Sequence, residues 1–444
     1  MAQITPFRGI RFNPDHISSM TDVTSPPYDV ITEAEQAELH DRSPHNIVRL
    51  ELGHKRPGDD HKDNPHTRAG RLLSTWLADG TLLREEVPAV YLTATEFDTA
   101  GRMLTRWGLM ASVRLEPFGH GGILPHERTY SKVKSERLSL MRACPANLSP
   151  IFAFFSDDRS TLPRLISHVA HKPPVVAFQD SHGHRQRMWT ITDPNLHGLI
   201  AANLKQQTLF IADGHHRYET ALAYRDELAR REDGLPDNHP ANNTLMYLSS
   251  IQDPGLMILP AHRLLPEVAP AIRHHFLERA ESFFEVKPME ARAGKEQAVD
   301  SLLDQLASTP PGEALVVAIK GTEAPALLQL KPGKKETLYS KATPDLLKEI
   351  DVTLLTEFIF PKLLELSPAQ LDDVNCVHYD HNARAALDGV SCGQYDMAFI
   401  IKPTPIASVR RIADAGQVMP RKTTYFAPKV ITGLVMHALD TAVV

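Results

Sequence analysis

The stretch Ile211-Ala212-Asp213-Gly214-His215-His216-Arg217-Tyr218-Glu219-Thr220-Ala221 governs how the rest of the chain is read. Before it, Thr208-Leu209-Phe210-Ile211-Ala212 reads as a short apolar strand, and after it a helical pattern runs from about His215 to Arg231. A strand that ends in Asp-Gly and opens a helix gathers backbone N–H groups, the positive end of the helix dipole and a guanidinium around one point. That is an anion site, and phosphate is its natural guest. On this reading Gly214 permits the tight turn, Arg217 grips phosphate bidentately, His215 and His216 donate to its oxygens, and Asp213 holds Mg²⁺. The alternative is a helix start capped by Asp213, with Arg217 paired to Glu219 or another neighbour. Two adjacent histidines and an arginine in one turn favour the anion site.

A second cluster lies upstream, His120-Gly121-Gly122-Ile123-Leu124-Pro125-His126-Glu127-Arg128-Thr129, followed by Lys132, Lys134, Glu136 and Arg137. Its glycines allow close backbone approach to a ligand, Pro125 stiffens the loop, and His126-Glu127 is a titratable pair. Glu127 is the candidate base; the alternative is a solvated carboxylate near lysines. Asp253 to Arg263 encloses an apolar strand and ends on a His-Arg dipeptide. Met419-Pro420-Arg421-Lys422-Thr423-Thr424-Tyr425-Phe426-Ala427-Pro428-Lys429 concentrates cations, hydroxyls and aromatics that suit phosphate or nucleotide, or else form a basic surface loop. Pro6-Phe7-Arg8-Gly9 and Ser25-Pro26-Pro27-Tyr28-Asp29 are rigid turns that line the same cleft or brace the fold.

Composition sets limits on function. The 444 residues suggest roughly three domains at ~150 residues each, or a large core domain with appendages. With 42% hydrophobic and 23% charged residues the chain reads as folded and globular. A net charge of −6 leaves no basic excess for a nucleic-acid coat. Cys144, Cys376 and Cys392 form no CxxC pair, so neither a disulfide framework nor a Cys-rich zinc site is expected. No leader pattern and no apolar run of about 20 residues is seen, which predicts a cytoplasmic protein with no membrane partner.

Along the chain, Thr32 and Glu35 stand in capping-box spacing before a helix to about Arg42, and a second helix spans about Thr67 to Asp79. Ala89 to Phe97 and Thr105 to Leu115 predict a hairpin, and Ser149 to Phe155 a further strand. Beyond Leu265 the pattern gives helices near Lys295–Ala307 and Thr353–Leu366 and strands near Ala314–Ile319 and Met397–Ile401. The expected partition is an N-terminal α/β region over 1–104, a core over 105–265 and a C-terminal α/β region over 266–444.

Taken together, Ser25 to Asp29, Pro125-His126-Glu127, Ala212 to Tyr218 and Met419 to Thr423 resemble the bacterial and archaeal family known as domain of unknown function one thousand and fifteen. Within that match, the stretch from about Glu116 to Arg231 resembles the core of free serine kinase and, more remotely, the nucleotide-binding domain of ParB and sulfiredoxin. The shared order is a His-Glu element, a Pro-Ile strand, then Asp-Gly-His-His-Arg opening a helix. The resemblance implies an α/β (α+β) fold with a central ParB/sulfiredoxin-like nucleotide-binding unit and α/β elaborations at both ends. It implies that Glu127 activates a substrate hydroxyl and that Asp213, His215, His216 and Arg217 bind nucleotide phosphate. This chain departs in the long segment Asp157 to Gln207 and in its large C-terminal region.

The expectation is phosphotransfer from ATP or ADP, assisted by Mg²⁺, to a hydroxyl of a small metabolite such as serine. Glu127, His126 and Asp213 are the catalytic set, with Asp213 as metal ligand. Gly214, His215, His216, Arg217, Arg421 and Lys422 bind the cofactor. One rival is a nucleotide-binding and hydrolysing switch. The other is a metal-dependent hydrolase using His126, His215, Asp213 and His262, against which His215 and His216 are adjacent and point about 100° apart on a helix.

Overall fold

The computed structural model describes residues 2–99, 101–119, 121–127, 131–288, 295–371, 373 and 375–440, without the side chains of 131–133 and 295–298. The fold is mixed α/β. Two compact units divide it, Met1–Met257 with Pro428–Val444, and Ile258–Ala427. The expected division at 104 falls inside a strand of the first unit.

The first unit contains strands β1 (Ile4–Thr5), β2 (Ile10–Phe12), β3 (Leu82–Arg84), β4 (Val90–Thr99), β5 (Arg102–Arg114), β6 (Ile123–Leu124) and β7 (Ala146–Asn147). Then come β8 (Ile151–Phe155), β9 (Val176–Gln179), β10 (Arg185–Ile191), β11 (Leu209–Asp213) and β12 (Asn243–Ser250). Its main sheet has the order β6-β11-β8-β12-β5-β4-β10-β9, with β1 on β5. The β4–β5 hairpin is the one the sequence predicts, with Tyr91 opposite Met110. β12 runs parallel to β8 and β11 parallel to β6, while the remaining pairs are antiparallel. The long segment Asp157 to Gln207 supplies β9 and β10, which extend the sheet beyond β4. β8 reads as a continuous apolar run because both its faces are covered. Ile151, Ala153 and Phe155 share a core with Ile211, Leu248 and Tyr218, while Phe154 stacks on Phe210 across the other face at 5.1 Å.

Helix starts follow their side chains. Thr32 and Glu35 form the full capping box of the helix Glu33–Arg42. After the short helix Val48–Glu51 comes Pro65–Ala78, which starts two residues earlier than the sequence pattern predicts, because Asn64 caps it and Pro65 fits its first position. The helix after β11 runs His215–Arg231, and the polar stretch after Glu116 holds β6 and the start of the helix Ser131–Ala143.

The second unit is built on a six-stranded antiparallel sheet that includes the expected strands Ala314–Ile319 and Met397–Ile400. The helix expected over Thr353–Leu366 begins at Asp351 and widens into π-type turns over Leu354–Leu363. Pro361 lies inside it and has no N–H for the regular ladder, which favours such widening.

Candidate functional site

The site is assembled at the end of β11. The register between β11 and β8 slips between Ile211 and Asp213, and such an irregularity re-aims the side chain beside it. Gly214 follows at φ +90°, a conformation that glycine adopts without strain. A Cβ there would meet Arg217 Nε at 2.9 Å, so the bare turn also makes room for the guanidinium folded over it.

Asp213 stands between two cations. Its Oδ2 accepts from Arg217 Nη2 at 2.8 Å and its Oδ1 from Lys429 Nζ at 3.2 Å. Burial opposes ionisation of Asp213, but Lys429 and Arg217 outweigh it and hold the carboxyl well below its usual range. Arg217 also donates to the Pro150 carbonyl and is only 8% exposed. Its guanidinium is therefore engaged at the strand ends, the neighbour-pairing role, with Asp213 as the partner in place of Glu219.

His215 and His126 join the two motifs. The His126 backbone N–H donates to His215 Nε2 at 3.2 Å, and the rings meet edge to face at 4.7 Å. An accepting Nε2 carries no proton, which makes His215 the neutral Nδ1–H tautomer. Burial, reinforced by His126, keeps the His215 pKa well below the ordinary imidazole value, and burial lowers that of His126 too. Glu127 comes next along the loop, its Oε1 3.9 Å from His126 Nε2 and its side chain 19% exposed. His216 is half-buried; burial lowers its pKa against the fields of Glu219, Asp29 and Glu127. Lys134 pairs with Glu219 at 2.8 Å. His120, Arg128 and Thr129 lie outside the described residues, as does the side chain of Lys132.

The turn Tyr28–Val30 packs against this site, which settles its place in the fold. Arg137 stacks over the Tyr28 ring at 4.0 Å, and Tyr28, Glu51, Arg137 and Arg217 line a small cavity of about 40 Å³. Burial, with Asp29 adding to it, pushes the Tyr28 phenol up.

The basic segment near the C-terminus is divided between the two compact units. Lys429 reaches Asp213, whereas Arg421 and Lys422 belong to the second unit. There their carbonyls accept from Arg263 Nη2 at 3.1 and 3.0 Å. Lys422 lines a cleft of about 420 Å³ with Tyr379, Asp380, His381 and Tyr425. His262 also lies in the second unit. Lys429, which the sequence reading placed in the cation-rich run without assigning it to the site, is the cation of that run that reaches Asp213.

Among the described residues no three His, Cys, Asp or Glu side chains converge as a ligand set for a metal. Both oxygens of Asp213 are engaged by cations, so a resident Mg²⁺ on that carboxylate does not fit the arrangement. Among the described residues no helix is long and apolar enough to cross a membrane.

The family described as protein of unknown function, DUF1015, matches residues 4–353. No curated protein matches the chain. Among solved structures, the chain is similar to a free serine kinase in complex with AMP, at 12% identity and a TM-score of 0.33, over 70% of this chain and 89% of that one. It is similar to a conserved hypothetical protein from Pyrococcus furiosus, at 13% and 0.32, over 70% and 92% of the two chains. C-terminally truncated SbnI from Staphylococcus aureus gives 10% and 0.34, over 73% and 85%.

Proposed function

The chain belongs to the DUF1015 family, and we propose that it is a nucleotide-dependent phosphotransferase acting on a hydroxyl of a small metabolite. The observation that carries this reading is the placement of Glu127. The bond from the His126 amide to His215 holds a partly exposed carboxylate beside a strand-to-helix turn whose Asp213 is paired with Lys429. Base and phosphate-type turn thus share one place.

In this reading the nucleotide phosphates sit at the helix start formed by Gly214 to Arg217, where the dipole and Lys429 favour negative charge. A divalent cation enters already bound to the phosphates, as part of the substrate. The acceptor hydroxyl gives its proton to Glu127 and its oxygen bonds to the terminal phosphorus, while the bond to the leaving phosphate oxygen breaks. ATP leaves as ADP, or ADP as AMP. Asp213 holds Arg217 and Lys429 in position, and His216 donates to a phosphate oxygen. The order His-Glu, Pro-Ile strand, Asp-Gly-His-His-Arg makes free serine the first acceptor to try.

The test is incubation of the full chain with ATP or ADP, Mg²⁺ and a panel of hydroxyl-bearing amino acids and metabolites, read by mass spectrometry. A phosphorylated acceptor is the expected product. Nucleotide hydrolysis with no phosphorylated acceptor would replace this reading with a nucleotide-gated switch.

A further inference from the structure

β3 ends on Arg84, which lies opposite Ile10 of β2 in the antiparallel pair. Ile10 in turn exchanges backbone hydrogen bonds with Met436, N–H to carbonyl at 2.9 Å in both directions. Arg84 is partly exposed. Its Nε and Nη1 are sealed from solvent and have no hydrogen-bond partner. Buried donors of a charged group are the most costly ones to leave unmet, and such a group calls for a water, an ion or a ligand.

Arg84 faces a cleft of about 720 Å³ in the first unit, lined also by Arg8, Arg114, Asp237, His437 and Asp440. The charges in this cleft do not balance. Arg114 is satisfied by Asp237, through its carbonyl at 2.6 Å and its carboxylate at 3.2 Å. Arg8 donates Nε to the Glu85 carbonyl at 2.9 Å, while the Glu85 carboxylate is held by Arg11 at 2.6 Å. Burial keeps His437 down at about 4, so it is neutral at pH 7. Three guanidinium groups thus face two carboxylates. Burial depresses the Arg84 pKa, Asp440 opposes that and Arg8 adds to it, so the charged form is short of compensation.

We propose that this cleft binds a small metabolite through an oxyanion, carboxylate or phosphate, held by Arg84 and assisted by Arg8. The cleft contains none of the residues of the Asp213 turn and is not used by the phosphotransfer reading. Its volume accommodates a metabolite, and arginine is the side chain suited to carboxylate and phosphate geometry.

The experiment is calorimetric titration of the full chain, at low salt, with inorganic phosphate and separately with succinate. Wild type, Arg84→Gln and Arg8→Gln are compared, each with its unfolding temperature. Wild type should bind at least one probe, and which one it binds identifies the oxyanion. Arg84→Gln should weaken that binding at least tenfold, the loss of a charge-assisted contact, and Arg8→Gln severalfold. Without anion, Arg84→Gln should unfold no earlier than wild type, because it removes two sealed donors that have no partner. Phosphate bound at the Asp213 turn would persist in both variants and so be told apart. Equal affinity in wild type and a folded Arg84→Gln would overturn the proposal, as would the failure of both probes to bind wild type. Should Arg84→Gln not fold, unchanged affinity in Arg8→Gln would overturn it.

Discussion

The backbone N–H of His126 donates to Nε2 of His215 at 3.2 Å, closing a loop of 89 positions between the two motifs of the site. This bond fixes where Glu127 sits, and it requires an imidazole without a proton on Nε2. Replacing His215 by Leu leaves a buried amide unmet, which costs about 1–3 kcal/mol. It should also lower turnover more than it weakens nucleotide binding, because the displaced group is the base. Chemical unfolding and steady-state kinetics check both; unaltered stability would show the bond to be dispensable.

Asp213 is the one carboxylate shared by Arg217 and Lys429, so the three groups keep one net positive charge. Asp213→Asn leaves two largely buried cations without their anion, and breaking a buried pair in this way costs about 3–5 kcal/mol. The pH dependence has a definite sign. A carboxyl held below its ordinary value of 3.8 contributes stability that is complete above that value and lost as pH falls through the folded one. Wild type should therefore lose stability steeply at strongly acidic pH, and Asp213→Asn less so, as read by urea unfolding at several pH values.

Gly214 is held at φ +90° beneath the Arg217 guanidinium. Gly214→Ala adds left-handed strain and a contact at 2.9 Å, so it should destabilise by about 1–3 kcal/mol and loosen Arg217 from Asp213. Thermal unfolding measures the first effect. A variant as stable as wild type would mean the turn relaxes freely.

His262, in the second unit, is 1% exposed and its Nδ1 accepts from the Ile401 amide at 3.3 Å. Burial lowers its pKa to about 4 from 6.5. The unfolded chain then binds the proton more readily, so the contribution is complete above about pH 6.5 and declines as pH falls towards about 4, by roughly 3 kcal/mol. His262→Asn should flatten the stability curve across that window. Unfolding temperatures from pH 7 to 4 decide it, and an identical slope in the variant would assign the acid sensitivity elsewhere.

Much of this was legible locally. The β11 strand, the glycine turn and the helix His215–Arg231 follow from apolar pattern, a breaker and helical periodicity, all carried by adjacent residues. The capping box at Thr32 and Glu35 is likewise local chemistry. What the pattern could not supply is where distant segments arrive. Lys429 and Lys422 stand seven positions apart in one basic run, yet Lys429 pairs with Asp213 while Lys422 belongs to the other compact unit. The destination of Arg217 was open because a guanidinium at a helix start reaches either the i−4 residue or a ligand, and here it pairs with Asp213 at i−4. The π-type turns at Leu354–Leu363 escaped because their apolar run reads as an ordinary helix.

Glu127→Gln separates binding from chemistry. The substitution keeps the size of the side chain and one acceptor oxygen but removes the basic carboxylate. The fold should tolerate it, because the bond that positions the loop runs through the His126 backbone and not through Glu127. Nucleotide affinity should stay within about twofold of wild type, since the helix start and Lys429 are untouched. Turnover should fall by about 10²–10⁴-fold, the range that general-base groups contribute. Lys429→Ala should differ in kind, weakening nucleotide affinity by roughly ten- to a hundred-fold through the loss of a charge-assisted contact of about 1.5–3 kcal/mol. Calorimetry for affinity and mass spectrometry for product, run on both variants, distinguish the two roles. A Glu127→Gln protein with normal turnover would leave the reaction without its base, whatever Lys429→Ala does to binding.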